Sequence, residues 1–278
     1  MVLLIIEIVI FLTTPAPSDL LGIDPEVEFY LEECIDCHGD KIDQEVKHEA
    51  VENGCDVCHE STGEPHPEDG IAGFKLVDSS PDLCYYCHEE PETPVSGHRP
   101  VTEGACLSCH DVHGSANQAL ILQPEEELCL SCHPVTRGQE MVHSAIENGG
   151  CLICHQPHGS HFRVLLTERY PVEDYLVASM DSFGLCFMCH DTDLLEAEET
   201  QGATNFRDGG RNLHQLHING QKGRNCKFCH NLHGSDQKFL IEEAVPFGNW
   251  EMQMNFISTE EGGSCLPGCH GKKVYTRQ

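Results

Sequence analysis

The chain has 278 residues, of which 18 are cysteine and 19 are histidine, far more than a soluble domain of this length usually contains. Its 46 acidic residues outnumber its 16 basic residues, and the resulting net charge of -30 excludes nucleic acid as a natural partner. This composition indicates chemistry at bound metals. The acidity is typical of a solvated surface, or of one that attracts basic partners or positively charged mineral.

Residues 1–23 form an apolar N-terminal segment. The first twelve read MVLLIIEIVIFL, which is too short to cross a bilayer as a helix and contains Glu7, so no stable membrane span is predicted. The stretch is typical of a signal-peptide core, although no basic residue precedes it. We expect either a signal whose true start lies upstream, or a retained apolar strand that its own domain or a neighbouring subunit covers.

The cysteines form nine closely spaced pairs, and a histidine directly follows every pair. Eight pairs read Cys-x-x-Cys-His, and the last has one extra residue between its cysteines. The pairs are Cys34/Cys37, Cys55/Cys58, Cys84/Cys87, Cys106/Cys109, Cys129/Cys132, Cys151/Cys154, Cys186/Cys189, Cys226/Cys229 and Cys265/Cys269. The histidines that follow them are His38, His59, His88, His110, His133, His155, His190, His230 and His270.

This spacing decides between disulfides, zinc sites and thioether links to haem. Two cysteines that flank two residues place both thiols against the vinyl groups of one haem, and the following imidazole reaches the iron from the same side. A single motif of this kind also occurs in redox and zinc sites. Nine in series that consume every cysteine predict nine covalently attached c-type haems, with Cys265 the one site of unusual spacing.

An internal repeat organises these sites. The segments around Cys106, Cys151 and Cys226 each contain a leading histidine, a first haem site, the tripeptide His-Gly-Ser, a short apolar run and then a second haem site. The segment from His48 to Cys84 is a degenerate copy without His-Gly-Ser. Residues 24–278 are therefore predicted to be a cytochrome domain with one leading haem at Cys34 and four two-haem modules. The modules span about 48–97, 98–142, 143–213 and 214–278.

Ten histidines remain beyond the nine attachment histidines, and most recur at fixed offsets in the repeat. We predict that they supply distal ligands to the irons. They are His48, His66, His98, His113, His143, His158, His161, His214, His217 and His233. Nine distal positions and ten candidates leave one histidine spare, either as a surface residue or as a cap for a haem in the next subunit.

The positions of these histidines divide them by role. The histidine of each His-Gly-Ser lies too near its own attachment histidine to share an iron with it, so we expect it to ligate a neighbouring haem. The leading histidines supply further distal ligands, with either His214 or His217 serving in the fourth module. His48 and His66 do so in the degenerate copy, which leaves His161 and the other of His214 and His217 for the ninth haem.

The predicted fold is mostly irregular, with short α-helices and a few short strands, wrapped around a stacked haem chain. The 25 glycines and 15 prolines interrupt the chain, and about 31 residues per haem cannot build a separate apolar core. The polar stretch from Asp191 to Asn225 resembles a surface loop. The stretch from Ser235 to Ser264 is predicted to form a hairpin around a Gly-Asn pair and to cover the last haems with Trp250.

The His-Gly-Ser modules at Cys106, Cys151 and Cys226, each followed by a second site, resemble the doubled-CXXCH group of multihaem cytochromes, from roughly Cys34 to His270. The resemblance implies haems stacked in alternating parallel and T-shaped pairs that form a continuous wire. It also implies one of three roles, as a periplasmic carrier, a cytochrome inside a porin conduit or a subunit of an extracellular filament. The degenerate first module, the long fourth linker and the Cys265 spacing depart from the pattern.

Two histidines per iron leave no position open to a substrate, so we expect electron transfer rather than an enzyme. A filament subunit that delivers electrons to an external acceptor is the first expectation. A periplasmic or porin-conduit carrier is the alternative, and an oxidoreductase for nitrogen or sulfur oxyanions is the third. The expected partners are further copies of the chain, redox proteins and an extracellular mineral or metal acceptor. Because c-type haem is attached outside the cytoplasmic membrane, we expect export to the cell surface or exterior, with the periplasm as the alternative.

The haem count is directly measurable. We expect a pyridine haemochrome assay on the purified protein to give nine haems per chain, because all nine cysteine pairs are followed by histidine. A value near zero would instead support zinc or disulfides.

Overall fold

The computed structural model describes residues 34–66, 70–136 and 138–278. The apolar segment of residues 1–23 therefore lies outside the described residues. The chain divides into two compact units. The smaller contains the described residues up to Ser79 together with His113–Ser115, and the larger contains Ser80–Val112 and Ala116–Gln278.

The helices are short, as the frequent glycines and prolines predict. Residues 34–38 are helical, and the further α-helices in the described ranges are Glu49–Glu52, Asp82–Tyr85, Arg99–Thr102, Glu125–Cys132, Ser144–Gly149, Gly184–Phe187, Asp193–Glu196 and Leu213–Ile218. The 3-10 helices are Gly39–Lys41, Cys55–Val57, Cys106–Ser108, Gln118–Leu120, Cys151–Ile153, Arg163–Leu165, Met180–Phe183, Cys226–Phe228 and Lys238–Leu240. None of the helices in these ranges has the length and apolar character needed to cross a membrane.

The strands are two to four residues long and pair antiparallel. The two-stranded pairs are Val46–Lys47 with Gly114–Ser115, His59–Ser61 with Phe74–Leu76, Ser96–Gly97 with Gly159–Ser160, Met141–Val142 with Gly234–Ser235, Arg207–Asp208 with Arg211–Asn212, and Ala244–Phe247 with Trp250–Gln253. Ile257–Ser258, Gly262–Cys265 and Lys273–Thr276 form a three-stranded sheet. The prediction of a mostly irregular chain with short helices and a few short strands is confirmed.

Three of these strand pairs have one architecture. In each, the two residues just before a leading histidine pair with the Gly-Ser of a later His-Gly-Ser. Ser96 and Gly97 thus pair with Ser160 and Gly159, and His98 and His158 extend from the same ends. The repeated motif therefore connects each module to the next through a short strand pair.

The prediction of a surface loop from Asp191 to Asn225 is wrong. The segment contains Leu195 and Ile218, which are buried in a cluster with Phe183. Asn212 is fully buried, and its amide Nδ2 donates to the carbonyls of Asp193 and Ala197 at 2.7 and 2.9 Å. The prediction failed because it took a polar sequence to be exposed. The polar side chain of Asn212 instead lies inside the fold, where it hydrogen-bonds backbone carbonyls.

The hairpin around the Gly-Asn pair is confirmed. Its strands, Ala244–Phe247 and Trp250–Gln253, meet in a turn where Gly248 has a φ of 64°. Met252 is buried in a second cluster, while the Trp250 ring, which is half exposed, lies against Gly268 of the last cysteine pair. The hairpin thus packs on the Cys265/Cys269 motif.

Candidate functional site

Eight of the nine cysteine pairs lie on or directly beside a turn of helix. At first sites such as Cys106–Ser108 and Cys151–Ile153 this is a 3-10 turn, and at second sites it is an α-helix that contains the first cysteine. The ninth pair differs, because Cys265 ends the strand Gly262–Cys265. Residues three and four apart on a helical turn share a face, so two thiols and one imidazole can address the same group.

The backbone closes each turn in the same way at both kinds of site. The N–H of Cys58 donates to the carbonyl of Cys55 at 3.2 Å, and the N–H of Cys87 donates to the carbonyl of Cys84 at 3.2 Å. In the leading pair, Cys34 and Cys37 lie in the helix of residues 34–38. The two thiols of each of these three pairs therefore have one helical turn between them, as the Cys-x-x-Cys spacing predicts.

The thiols differ in exposure, although the sequence predicts the same role for all of them. The first cysteine of every pair is half-buried. The second cysteine is also half-buried at the first site of each module, namely at Cys58, Cys109, Cys154 and Cys229. At the leading site and at every second site it is exposed, namely at Cys37, Cys87, Cys132, Cys189 and Cys269. Thioether attachment at these exposed thiols stays a prediction from the motif, since burial does not mark them as binding residues.

None of the 18 cysteines forms a disulfide, and no group of three or more potential metal ligands is clustered in the described ranges. The chain instead arranges its histidines in facing pairs. The pairs, with the distances between ring centres, are His38–His66 (5.9 Å), His59–His113 (6.2 Å), His98–His133 (5.9 Å), His110–His158 (6.0 Å), His143–His190 (6.1 Å), His155–His233 (6.2 Å), His214–His230 (6.2 Å) and His217–His270 (6.4 Å).

These distances suit a metal held between two imidazoles. Two metal–nitrogen bonds of about 2 Å, plus the distance from each nitrogen to its ring centre, separate the ring centres by about 6 Å. Every one of the eight pairs joins one attachment histidine to one of the ten other histidines. The residues therefore fit covalently attached haem with an imidazole on each face.

The pairing follows the repeat. A first-site attachment histidine faces the His-Gly-Ser histidine of the next module, as in His59–His113, His110–His158 and His155–His233. A second-site attachment histidine faces the leading histidine of its own module, as in His133–His98, His190–His143 and His270–His217. In the fourth module the first-site His230 instead faces His214, which belongs to the same module.

Three predicted ligands lie outside these eight pairs. His48 and His88 each make further contacts in the structure. His161 lies on the surface with its side chain 71% exposed, and its Nε2 is 3.9 Å from a Glu92 carboxylate oxygen. The structure thus brings both His214 and His217 into pairs and sets His161 apart.

Glycine and serine in His-Gly-Ser have separate structural tasks. A Cβ on Gly159 would lie 2.2 Å from the carbonyl oxygen of Glu92, so no larger residue lets these backbones approach. The Ser160 hydroxyl donates to the Leu166 carbonyl and accepts from the Phe162 N–H at 2.9 Å. These contacts hold the backbone on which His158 faces His110.

Neighbouring sites meet through the backbone of their distal histidines. The N–H of His98 donates to the carbonyl of His158 at 3.4 Å, and that of His143 donates to the carbonyl of His233 at 2.9 Å. In the smaller unit, the N–H of His48 donates to the carbonyl of His113 at 3.2 Å. A leading histidine is therefore bonded to the histidine that faces the site next to its own.

Neighbouring sites also interact through their thiols. In the smaller unit, burial and the hydrogen-bonded Cys34 thiol raise the pKa of Cys55. In the larger unit, Tyr85 interacts electrostatically with Cys84 and Cys106. The interacting cysteines of consecutive sites in this unit are Cys109 with Cys129, Cys129 with Cys151, Cys154 with Cys189, Cys186 with Cys226, and Cys229 with Cys269. Its seven sites, from Cys84 to Cys269, thus follow one another in space in the order of the sequence.

Burial favours the neutral form of several of the facing imidazoles. It lowers the pKa of His214 to about 4, helped by the neighbouring His230, His217 and His190. Burial also lowers the pKa of His158 and His143, with further contributions from His110 and His190 respectively. Because imidazole binds metal only in its neutral form, these surroundings favour ligation over protonation.

Sequence reasoning missed two groups that position the sites. The Glu125 carboxylate accepts hydrogen bonds from the N–H groups of Cys151 and Leu152 at 2.8 and 3.1 Å. The Thr204 hydroxyl lies 2.8 Å from Nδ1 of His214. No motif marks either residue, since Glu125 belongs to a run of three glutamates and Thr204 to a polar linker.

A family model for the doubled CXXCH motif matches residues 48–93, 98–138 and 143–194, which together make up half of the chain. The three matches begin at the leading histidines His48, His98 and His143. No curated protein matches the chain.

We expect Glu125→Ala to destabilise the protein by about 1–3 kcal/mol, because two backbone donors at the Cys151 turn lose their acceptor. Denaturant unfolding followed by far-ultraviolet circular dichroism measures this change. Glu126→Ala is the matched control, since it removes the same charge from an exposed position of the same helix. Equal effects of the two substitutions would show that the charge and not the hydrogen bonds matters.

Proposed function

The chain belongs to the doubled CXXCH family of multihaem c-type cytochromes, and on that premise we propose that it transfers electrons over long range through nine bis-histidine haems. The observation that carries the proposal is the set of eight imidazole pairs with ring centres 5.9 to 6.4 Å apart. Each pair contains an attachment histidine whose two cysteines adjoin it in the sequence.

The cysteines and the histidines of each site have different roles. The two cysteines would hold the haem through thioether bonds, and the two imidazoles would ligate its iron. Bound haem supplies a one-electron couple at each site. In the repeat, the leading histidine serves the second site of its own module, and for the first module that histidine is His48.

The order of the sites supports transfer along a chain of haems. In the larger unit, backbone hydrogen bonds between distal histidines alternate with hydrogen bonds between thiols, as with His98–His158 and then Cys129–Cys151. Neighbouring cofactors that share such contacts lie close together, and an electron then moves by short steps between them.

The paired imidazoles also argue against catalysis at iron. A haem with two histidine ligands has no vacant position for a substrate oxygen or nitrogen atom. We therefore propose an electron carrier and not an enzyme. Export follows from the haem chemistry, because this attachment takes place outside the cytoplasmic membrane.

We propose that copies of the chain assemble into an extracellular filament that passes electrons to an external acceptor, with a mineral as one such acceptor. The net charge of -30 suits a solvated protein outside the cell and attraction to positively charged mineral. The apolar residues 1–23 are a segment that a neighbouring copy can cover. His161, exposed beside Glu92, is accessible to such a neighbour.

The ligand assignment is tested by one pair of variants. We expect His158→Ala to remove a ligand from the iron attached at His110, so that one high-spin ferric signal appears in the electron paramagnetic resonance spectrum. His161→Ala, three residues away and outside the eight pairs, should leave every haem low-spin. An unchanged spectrum for His158→Ala would contradict the assignment, and a high-spin haem in the unmodified protein would favour an oxidoreductase.

Assembly is tested on native material. We expect electron microscopy of protein shed from the cell surface to show filaments built from this chain. Monodisperse particles alone would contradict the filament, and copurification with a barrel protein or a quinol oxidase would favour the periplasmic or porin-conduit carrier.

A further inference from the structure

After the first site of the second, third and fourth modules, the backbone makes a left-handed turn of two residues. The turns are Ala119–Leu120, Val164–Leu165 and Phe239–Leu240, with φ between 50° and 62°. None of the six residues is glycine or asparagine, the residues that adopt this conformation most easily. The same unusual geometry thus occurs at the same place in three modules.

The turn is costly at Val164. A β-branched residue with a φ of 50° is strained, and its side chain is 69% exposed, so burial offsets little of that strain. Surrounding hydrogen bonds hold the turn in place. The Leu165 carbonyl accepts from the Gln156 N–H at 2.7 Å, and the Leu165 N–H donates to the Ser96 hydroxyl at 3.0 Å.

The turn directs a carbonyl at the attachment histidine of the first site. Nδ1 of His155 lies 3.1 Å from the carbonyl oxygen of Val164. The same contact joins His110 to Ala119 at 2.9 Å and His230 to Phe239 at 2.8 Å. A carbonyl only accepts, so Nδ1 carries the proton and Nε2 presents its lone pair to the iron.

Second sites of the second and third modules lack this contact. Within the described ranges, no protein carbonyl lies within hydrogen-bonding distance of Nδ1 of His133 or His190, and these rings face the leading histidines His98 and His143. The fourth module differs, because Nδ1 of His270 at its second site lies 2.7 Å from the Gly271 carbonyl. The contrast between sites is therefore confined to two modules.

We propose that the left-handed turns are positioning elements that lower the reduction potential of the first-site haem below that of the second-site haem in the second and third modules. An Nδ1–H bonded to a carbonyl makes imidazole a stronger donor, and a stronger donor favours ferric over ferrous iron. The inference rests on the proposed bis-histidine haems. Along the second and third modules, haems of lower and higher reduction potential then alternate. In the fourth module the turn creates no such difference, because His270 at the second site also has a carbonyl contact.

The sharpest test replaces the histidine ring itself. Nδ1-methylhistidine at position 155 cannot donate to Val164 but keeps Nε2 for the iron. We expect the reduction equilibrium constant of that one haem to rise about tenfold, which is about 59 mV for one electron. The same replacement at position 190, where no protein carbonyl is bonded, should shift the potential of its own haem by less than the replacement at position 155 does. Potentiometric titration followed by electron paramagnetic resonance measures both.

A second pair of variants addresses the turn and does not depend on the modified amino acid. Val164→Pro cannot keep a φ of 50° and should raise the same potential, whereas Val164→Gly keeps the turn, relieves its strain and should leave the potential unchanged. Equal shifts at positions 155 and 190, or no shift at 155 with all haems low-spin, would overturn this inference alone. Absence of low-spin haem in the unmodified protein would instead overturn the proposed function.

Discussion

The fixed separation of two facing imidazoles is the constraint on which the rest of this structure depends. Each pair brings an attachment histidine opposite a histidine from another segment, as with His155 and His233, and holds the ring centres about 6 Å apart, the separation that two bonds to one metal would give. With two small apolar clusters in the described part of the chain, these pairs and their backbone contacts organise the irregular segments around them.

That constraint explains why His-Gly-Ser recurs. The histidine must reach a site in the preceding module, the glycine must let two backbones approach closely, and the serine must close the turn that follows. Gly159 and Ser160 do this beside His158, and Gly234 and Ser235 do it beside His233. A short motif thus carries the connection between modules that larger domains make with an apolar core.

The left-handed turns determine which nitrogen of the imidazole carries the proton. A histidine that ligates the proposed haem must present the correct nitrogen, and the carbonyls of Ala119, Val164 and Phe239 fix that nitrogen by accepting from Nδ1. The turns lie in apolar runs whose sequence differs in all three modules. Their conformation is set by hydrogen bonds with residues already placed by the haem-attachment turn, such as Gln156.

The sequence by itself determined the nine attachment motifs, the ten further histidines, the modular repeat and the hairpin around Gly248, because each depends on residues a few positions apart. Only the tertiary structure decided which histidines face each other, because the repeat offers several candidate partners from distant segments for each attachment histidine. It placed both His214 and His217 in pairs and His161 on the surface. It also buried Asn212 inside a stretch whose polarity predicted a loop, because a polar side chain is stable in the interior once backbone groups satisfy its hydrogen bonds.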